Sequence, residues 1–338
     1  MNERARGALL GMAVGDALGT TYEFERIEQP EYPRLATGPA IDVVGKGPFD
    51  LPAGAITDDT QLAVCLARSL AEHGALDAED VGRRYVGWMS EAFDIGNQTR
   101  WSLDRIEAGD SAVTAGVATW RATERRAAGN GSLMRTAPIA VAYAHRPLAE
   151  LVAAAITESL ITHADPRCAL ACAAFDAAIA SAITSGDPAS MLPAASVGLR
   201  RGAEELRARW TDVADLASVD QAVVDLEGDL AAAHEDTPGV DRPAHHLYKT
   251  GGFVRVALRL AVWHLAHTPS WRDAVVDVAS RGGDADTNAA IVGALLGARD
   301  GVSAIPAAWI DRVLGATQPG TPEWADAHHP RHLLALVG

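Results

Sequence analysis

The sequence predicts an all-α protein, a single orthogonally packed helical bundle spanning residues 1–338. Three observations carry that prediction. Hydrophobic residues make up 48% of the chain but aromatics only 5%, so the core must be built from Ala, Val, Leu and Ile, and Ala has the best helix propensity. Apolar residues recur at helical spacing in almost every periodic segment. Alternating apolar–polar runs, the mark of a half-buried strand, are scarce.

Taken in order, residues 3–18 place apolar side chains at helical spacing. Residues 60–73 (TQLAVCLARSLAEH) do the same behind a Thr/Asp cluster that suits a helix N-cap. Residues 78–91, 147–162 and 166–184 repeat the pattern, with Pro147 and Pro166 fitting first-turn positions. Residues 251–267 and 288–299 are two further apolar helices. Residues 28–57 contain Pro30, Pro33, Pro39, Pro48 and Pro52 and form a long loop, a length that in compact domains usually carries function. Residues 126–136 form a Gly-rich turn, and residues 234–246 a polar, Pro-containing connection. The charged, amphipathic segment 186–233 reads as surface helices.

The formal net charge is −15 with a pI near 5.1, and no Lys/Arg-rich stretch is present. Nonspecific nucleic-acid binding is not expected of such a chain. Three cysteines, none in a CxxC pair, argue against a disulfide framework or a zinc site and point to a reducing compartment. Cys168 and Cys172, four apart in an Ala-rich run, read as small buried thiols. The N-terminal segment superficially resembles a signal peptide, but Asp16 interrupts its apolar run and no small-residue cleavage site follows. No stretch reaches the ~18–20 uncharged apolar residues of a membrane span. A cytoplasmic monomer without a membrane partner is expected.

Two clusters carry the chemistry: Thr57-Asp58-Asp59-Thr60, and Gly282-Gly283-Asp284-Ala285-Asp286-Thr287-Asn288. Each precedes an apolar helical run. Asp and Thr are favoured N-caps, and carboxylates interact well with the helix dipole there, so capping is the plain reading of either cluster alone. Capping, however, needs one side chain, and each cluster supplies four oxygen-bearing ones. Adjacent carboxylates repel unless a cation offsets them. Together the clusters make an all-oxygen ligand set suited to two divalent cations, Mg²⁺ or Mn²⁺, and not to zinc. Two metals ~3.5–4 Å apart are a recurrent hydrolytic device.

Six stretches then resemble one family in its order: GALLGMAVGDALGTTYEF (7–24), GPFDLPAGAITDDTQLA (47–63), DIGNQTR (94–100), GNGSLMRTAPIA (129–140), THADPR (162–167) and GGDADTNAAIVGALLGA (282–298). The chain resembles the ADP-ribosylglycohydrolases, which include the dinitrogenase reductase-activating glycohydrolase and the ADP-ribosylarginine hydrolases. The resemblance implies that Thr57, Asp58, Asp59, Asp284, Asp286 and Thr287 hold two Mg²⁺ or Mn²⁺ ions. It places Asp16 and Glu23 as acids at the edge of that site. With Asp59 they are the catalytic candidates, Asp59 or Glu23 assisting proton transfer to the leaving nitrogen. It also implies that Gly129, Asn130, Gly131, Ser132, Met134, Arg135, His163, Phe253 and Gly283 hold ADP-ribose. Asp94 and Asn97 match positions near the released arginine. The implied substrate is an ADP-ribosylated protein, the implied product ADP-ribose. The residues agree: free N–H groups in GNGS can form an anion nest, His163 can donate to a phosphate or ribose oxygen, and a carboxylate such as Asp94 pairs naturally with a guanidinium.

The chain departs from the family pattern at Phe253-Val254-Arg255-Val256-Ala257, where many members have Tyr-Val-Val-Asp-Thr, at Ile56, where many have Trp, and at 186–246, which is long for the family and reads as a family-variable helical insert. Rival readings remain: a hydrolase of serine-linked ADP-ribose, O-acetyl-ADP-ribose or ADP-ribosylated nucleic acid; a catalytically weak ADP-ribose-binding regulator; and an unrelated two-metal phosphoesterase, a class that usually adds His ligands.

Overall fold

A computed structural model describes residues 2–337. Among the described residues the helices are α1 (Glu3–Gly19), α2 (Asp58–His73), α3 (Ala78–Met89), α4 (Asn97–Glu107), α5 (Ala112–Ala122), α6 (Ala137–Tyr143), α7 (Leu148–Leu160), α8 (Pro166–Ser185), α9 (Met191–Arg209), α10 (Val213–Ala231), α11 (Val254–His267), α12 (Trp271–Ser280), α13 (Ala285–Asp300), α14 (Ala307–Gly315) and α15 (Pro322–Ala327). Among the described residues the only paired strands are β1 (Asp241–Arg242) and β2 (His245–His246), an antiparallel pair with Asp241 opposite His246.

Asn2 opens α1 by accepting N–H bonds from Arg4 and Ala5 at 3.0 and 3.2 Å. Every residue from Gly7 to Gly19 is buried, so α1 is a central helix. Gly7, Gly11, Gly15 and Gly19 recur at four-residue spacing and share a face. They meet Gly297, Gly293, Ala289 and Ala285 of α13, which runs antiparallel. The two backbones touch: a Cβ on Gly7 would lie 2.1 Å from the Gly297 carbonyl oxygen, and one on Gly15 2.1 Å from that of Ala289. The Trp271 indole of α12 closes the seam by donating to the Gly293 carbonyl at 2.9 Å. Antiparallel packing sets the C-terminal end of α1 against the N-terminal end of α13.

Around this pair lie α8, α11 and α12. By length and composition α8 is apolar enough to cross a membrane, which the sequence reading did not anticipate, but 83% of its most apolar stretch is buried inside the protein. The insert also differs from expectation. Helices α9 and α10 form an outer layer with their own buried face, including Met191, Leu199, Leu206, Val219 and Leu226 at 0% exposure. Asp229 of α10 accepts from Arg255 Nε at 2.6 Å and Arg259 Nη1 at 2.7 Å, stitching α10 to the first turns of α11. Pro147 proves to be the N-cap of α7, outside its first turn, and residues 251–253 form a turn ahead of α11. Helix α2 begins at Asp58, two residues earlier than its apolar pattern, so both aspartates lie in its first turn.

The loop 28–57 is pinned to the end of α12. Asp277 accepts from the Ala36 N–H at 2.5 Å and the Tyr32 hydroxyl at 2.9 Å, and Arg281 donates to the carbonyls of Pro30 and Arg34 while lying 3.8 Å over the Tyr32 ring. Three backbone groups of the loop, the Ala36 N–H and the Pro30 and Arg34 carbonyls, thus find partners outside any secondary structure. Burial would raise the Asp277 pKa, but the hydrogen bond and charge of His264, then Arg281, outweigh it and bring the group down to about 2.

Gly15→Ala should destabilise the fold by about 3 kcal/mol, the upper part of the range for overpacking, because the obstacle is backbone; an unchanged midpoint in urea unfolding would show that the helices can part at no cost. Asp277 is depressed in the folded state, so its stabilisation is present above its unfolded value of about 4 and is lost as pH falls toward about 2. The difference in unfolding free energy between wild type and Asp277→Asn should therefore be constant from pH 7 to about 5 and shrink towards pH 2.

Candidate active site

The ends of three helices converge. Asp16, near the end of α1, accepts from the Thr57 N–H at 3.1 Å, the Thr57 hydroxyl at 2.9 Å, the Thr60 N–H at 3.2 Å and the Thr60 hydroxyl at 2.5 Å. A residue of α1 therefore caps α2. Thr57 and Asp284, the N-cap residues of α2 and α13, make no side-chain cap bond of their own. Capping thus explains Asp16 and leaves Asp58, Asp59 and Asp284 without that role; Asp286 accepts from the adjacent Thr287 N–H at 2.8 Å and lies at the long distance of 3.4 Å from the Thr57 hydroxyl.

What remains fits a cation. The Thr57 hydroxyl has one proton, yet Asp16 Oδ1, Asp59 Oδ2 and Asp286 Oδ2 lie 2.9, 3.0 and 3.4 Å from it. Asp59 Oδ1 and Glu23 Oε2 are buried with no hydrogen-bond partner. One carboxylate oxygen each from Asp16, Asp59 and Asp286 can be chosen so that all lie within 4.8 Å of one another, and the same holds for Glu23, Asp94 and Asp286. Asp286 belongs to both triads. Thr287 Oγ1 stands 3.4 Å from Asp59 Oδ2, which adds a second hydroxyl to an all-oxygen donor set.

Burial, and then the neighbouring acids, push Asp58, Asp59 and Asp286 well above the usual carboxylate range. Glu23 is pushed up to about 12 by burial, then by the charges of Asp286 and Asp94. Burial raises Asp94 and Asp16 to about 6, each held back by hydrogen bonds, from Asp58 for Asp94 and from Thr60 and Thr57 for Asp16. Such a cluster cannot hold all its charges alone. Divalent cations reverse that balance by offsetting the repulsion.

Above the cluster opens a cleft of about 720 Å³, lined by Glu23, Asp58, Asp94, Asp284 and Thr287. One wall is the glycine turn. Asn130 donates to Asp284 Oδ2 at 2.7 Å, and its N–H reaches the Gly252 carbonyl at 3.0 Å. A Cβ on Gly131 would lie 2.7 Å from His163 Cε1, so only glycine fits against that ring. Gly129, Met134 and His163 also face the cleft. Opposite, Gly283 is held at φ +74 while its carbonyl accepts from the Phe24 N–H at 2.7 Å and its N–H donates to the Glu25 carbonyl at 2.8 Å. That pairing presses the Glu23 segment onto α13. Asn97 stands exposed on the rim as the first residue of α4.

Three expected ligand contacts lie elsewhere. Ser132 is buried behind the turn and accepts from Ser159 Oγ at 2.9 Å. Arg135 is fully buried, donating to Glu158 Oε1 at 2.7 Å. The Phe253 ring stacks on His245 at 5.9 Å beside the cleft, and only its backbone, bridged to Gly129, joins the wall. Among the departures from the family pattern, Val256, Ala257 and Ile56 are buried in the core and none lines the cleft, although Ile56 directly precedes Thr57. Residues passed over in the sequence do line it: Phe24, Arg26, Gln98 and Tyr248. Phe24 and Gln98 stood inside quoted motifs, whereas Arg26 and Tyr248 fell in stretches with no pattern.

A family model described as ADP-ribosylglycohydrolase matches residues 1–334. The chain is 30% identical to the ADP-ribosylarginine hydrolase Tri1 of Pseudomonas putida, an alignment covering 92% of this chain and 74% of the relative. It is 29% identical to the ADP-ribosyl-dinitrogen reductase glycohydrolase of Rhodospirillum rubrum, covering 100% and 98%. A solved structure titled ADP-ribosylglycohydrolase-related protein complex superimposes with a TM-score of 0.68 at 28% identity, covering 99% and 97%.

Chelator-treated protein should gain about 2.7 kcal/mol of stability from Mg²⁺ or Mn²⁺ at a hundred times its dissociation constant. Asp59→Asn and Asp286→Asn should lose most of that gain while being more stable than wild type without metal, since each removes a repelling charge. Equal thermal midpoints for wild type with and without cation would remove the cation reading.

Proposed function

The chain belongs to the ADP-ribosylglycohydrolase family, and on that premise we propose that it hydrolyses the N-glycosidic bond between ADP-ribose and a modified arginine of a protein, using two Mg²⁺ or Mn²⁺ ions. The observation that carries this reading is the buried carboxylate cluster, with unpartnered oxygens, at the floor of a cleft walled by a glycine turn. Asp58, Asp59, Asp284 and Asp286, with the hydroxyls of Thr57 and Thr287, would hold the cations. When bound, these supply Lewis-acid orientation of the ribose hydroxyls and of a water.

The chain's own residues do the rest. Of the three catalytic candidates, Asp16 is occupied by Thr57 and Thr60, and Asp59 lies beneath the cleft floor. Glu23 is the one of the three that lines the cleft, so it would be the residue to give a proton to the leaving nitrogen. Within the glycine turn the Gly129 and Asn130 N–H groups are already donated, to Gln98 Oε1 and the Gly252 carbonyl, so the anionic part of ADP-ribose would be met by the Gly131 N–H and by Arg26, whose guanidinium lies 5.5 Å over the Tyr248 ring and adds a positive charge to an otherwise acidic cleft. The linkage preference follows from charge. Asp94, beside Glu23 and Asp58, offers a carboxylate to a guanidinium, and a cationic side chain is drawn to that corner more strongly than a serine hydroxyl.

The test is release of free ADP-ribose from an arginine-ADP-ribosylated protein with Mg²⁺ or Mn²⁺, beside an EDTA control, Asp284→Ala/Asp286→Ala and Glu23→Gln. Release only with metal, abolished in the double variant and slowed about 10²–10⁴-fold in Glu23→Gln, is expected. A serine-linked substrate cleaved in preference would overturn the arginine assignment, AMP as product would indicate a phosphoesterase, and binding of ADP-ribose without release from any linkage would indicate a binding protein.

A further inference from the structure

We propose that His163 meets its ligand as a neutral imidazole protonated on Nε2, and that Arg135 and Thr162 are positioning residues that fix this tautomer. The argument is a count of protons. His163 turns Nε2 towards the glycine turn: a Cβ on Gly131 would lie 2.9 Å from it and one on Gly129 3.3 Å. Its Nδ1 faces the interior, 2.8 Å from Thr162 Oγ1. A hydroxyl has one proton and two lone pairs. Arg135 Nη2, 2.7 Å from the same oxygen, can only donate and so occupies one lone pair. The Thr162 proton then has His163 Nδ1 as its partner, which makes Nδ1 an acceptor and puts the ring proton on Nε2. The opposite tautomer would leave a fully buried hydroxyl proton unpaired.

Arg135 cannot give way. Its Nε donates to Glu158 Oε1 at 2.7 Å, the Tyr85 hydroxyl donates to the same oxygen at 2.8 Å, and the guanidinium lies 4.7 Å over the Tyr85 ring. Burial, then the Arg135 charge, hold the imidazole well below its usual pKa, so a second ring proton is opposed as well. The cleft is therefore offered a donor that does not become a cation. A donor there suits an oxygen with lone pairs only, such as a phosphate oxygen of ADP-ribose; this part rests on the function proposed above.

The tautomer can be read directly. Long-range ¹H–¹⁵N correlation spectra of the metal-loaded, ¹⁵N-histidine-labelled protein, with the His163 signals identified by their loss in His163→Gln, should show Nε2 protonated and Nδ1 bare from pH 5 to 8. Thr162→Val should mix the tautomers and weaken ADP-ribose binding about tenfold, the value of one ordinary hydrogen bond, and Thr162→Ser should restore both. A proton on Nδ1, or a titration near the ordinary value of about 6.5, would overturn the inference, and the wild-type spectrum decides this even if the Thr162 variants do not fold. Absence of ADP-ribose binding by the wild type would count against the proposed function and leave the tautomer to the spectrum.

Discussion

The site depends on the contact of two backbones. Where α1 and α13 cross, no side chain separates them, so their distance is set by van der Waals radii and not by rotamers. The residues just beyond the contact inherit that exactness. Asp16 leaves α1 one residue after Gly15, and Asp286 enters α13 one residue after Ala285, the partner of Gly19. Asp16 then fixes α2 by capping it. Two helices touching and a third capped across the gap turn three separate stretches of chain into one rigid frame for carboxylates.

Apart from Asp16, which caps α2, and Asp176, which accepts from the Thr136 hydroxyl at 2.6 Å, the acids inside this protein fall into two kinds. Asp215, Asp229, Asp277 and Glu158 each face an arginine and act as structural ties. Asp58, Asp59, Asp284, Asp286 and Glu23 face one another and form no ion pair with any basic side chain among the described residues. A buried charge without a partner is costly, and breaking a buried pair is far worse than never making it. A fold that buries four such groups, with the half-buried Asp284 beside them, while supplying arginines generously elsewhere is a fold that leaves room for positive charge from outside the chain.

Much of this was legible in the sequence, and the rest was hidden for identifiable reasons. The two acidic clusters stood out because each is contiguous, and the helices because their apolar faces repeat. Asp16 gave no hint that it caps α2, since its partners lie 41 residues further on. Arg135 belongs to a conspicuous motif, but the helical turn that carries it aims its side chain away from the cleft, towards Glu158. Segment 186–233 looked like surface because its outer face is heavily charged; its inner face shows only once α8 is seen to be apolar all round and in need of cover. Arg26 and Tyr248 meet across the chain fold, with no spacing in the sequence to announce them.

The tie between α10 and α11 gives the outer layer a hold on chemistry that it never touches. Asp229 grips Arg255 and Arg259, Arg255 lies two residues after Phe253, and the backbone of Phe253 is bridged to Gly129. The glycine turn is in that sense the short arm of a lever whose long arm is the insert. Relatives that differ in the length or tilt of this layer would present the same ligand-facing side chains on a differently set wall, and could part in selectivity with no exchange of residues in the cleft.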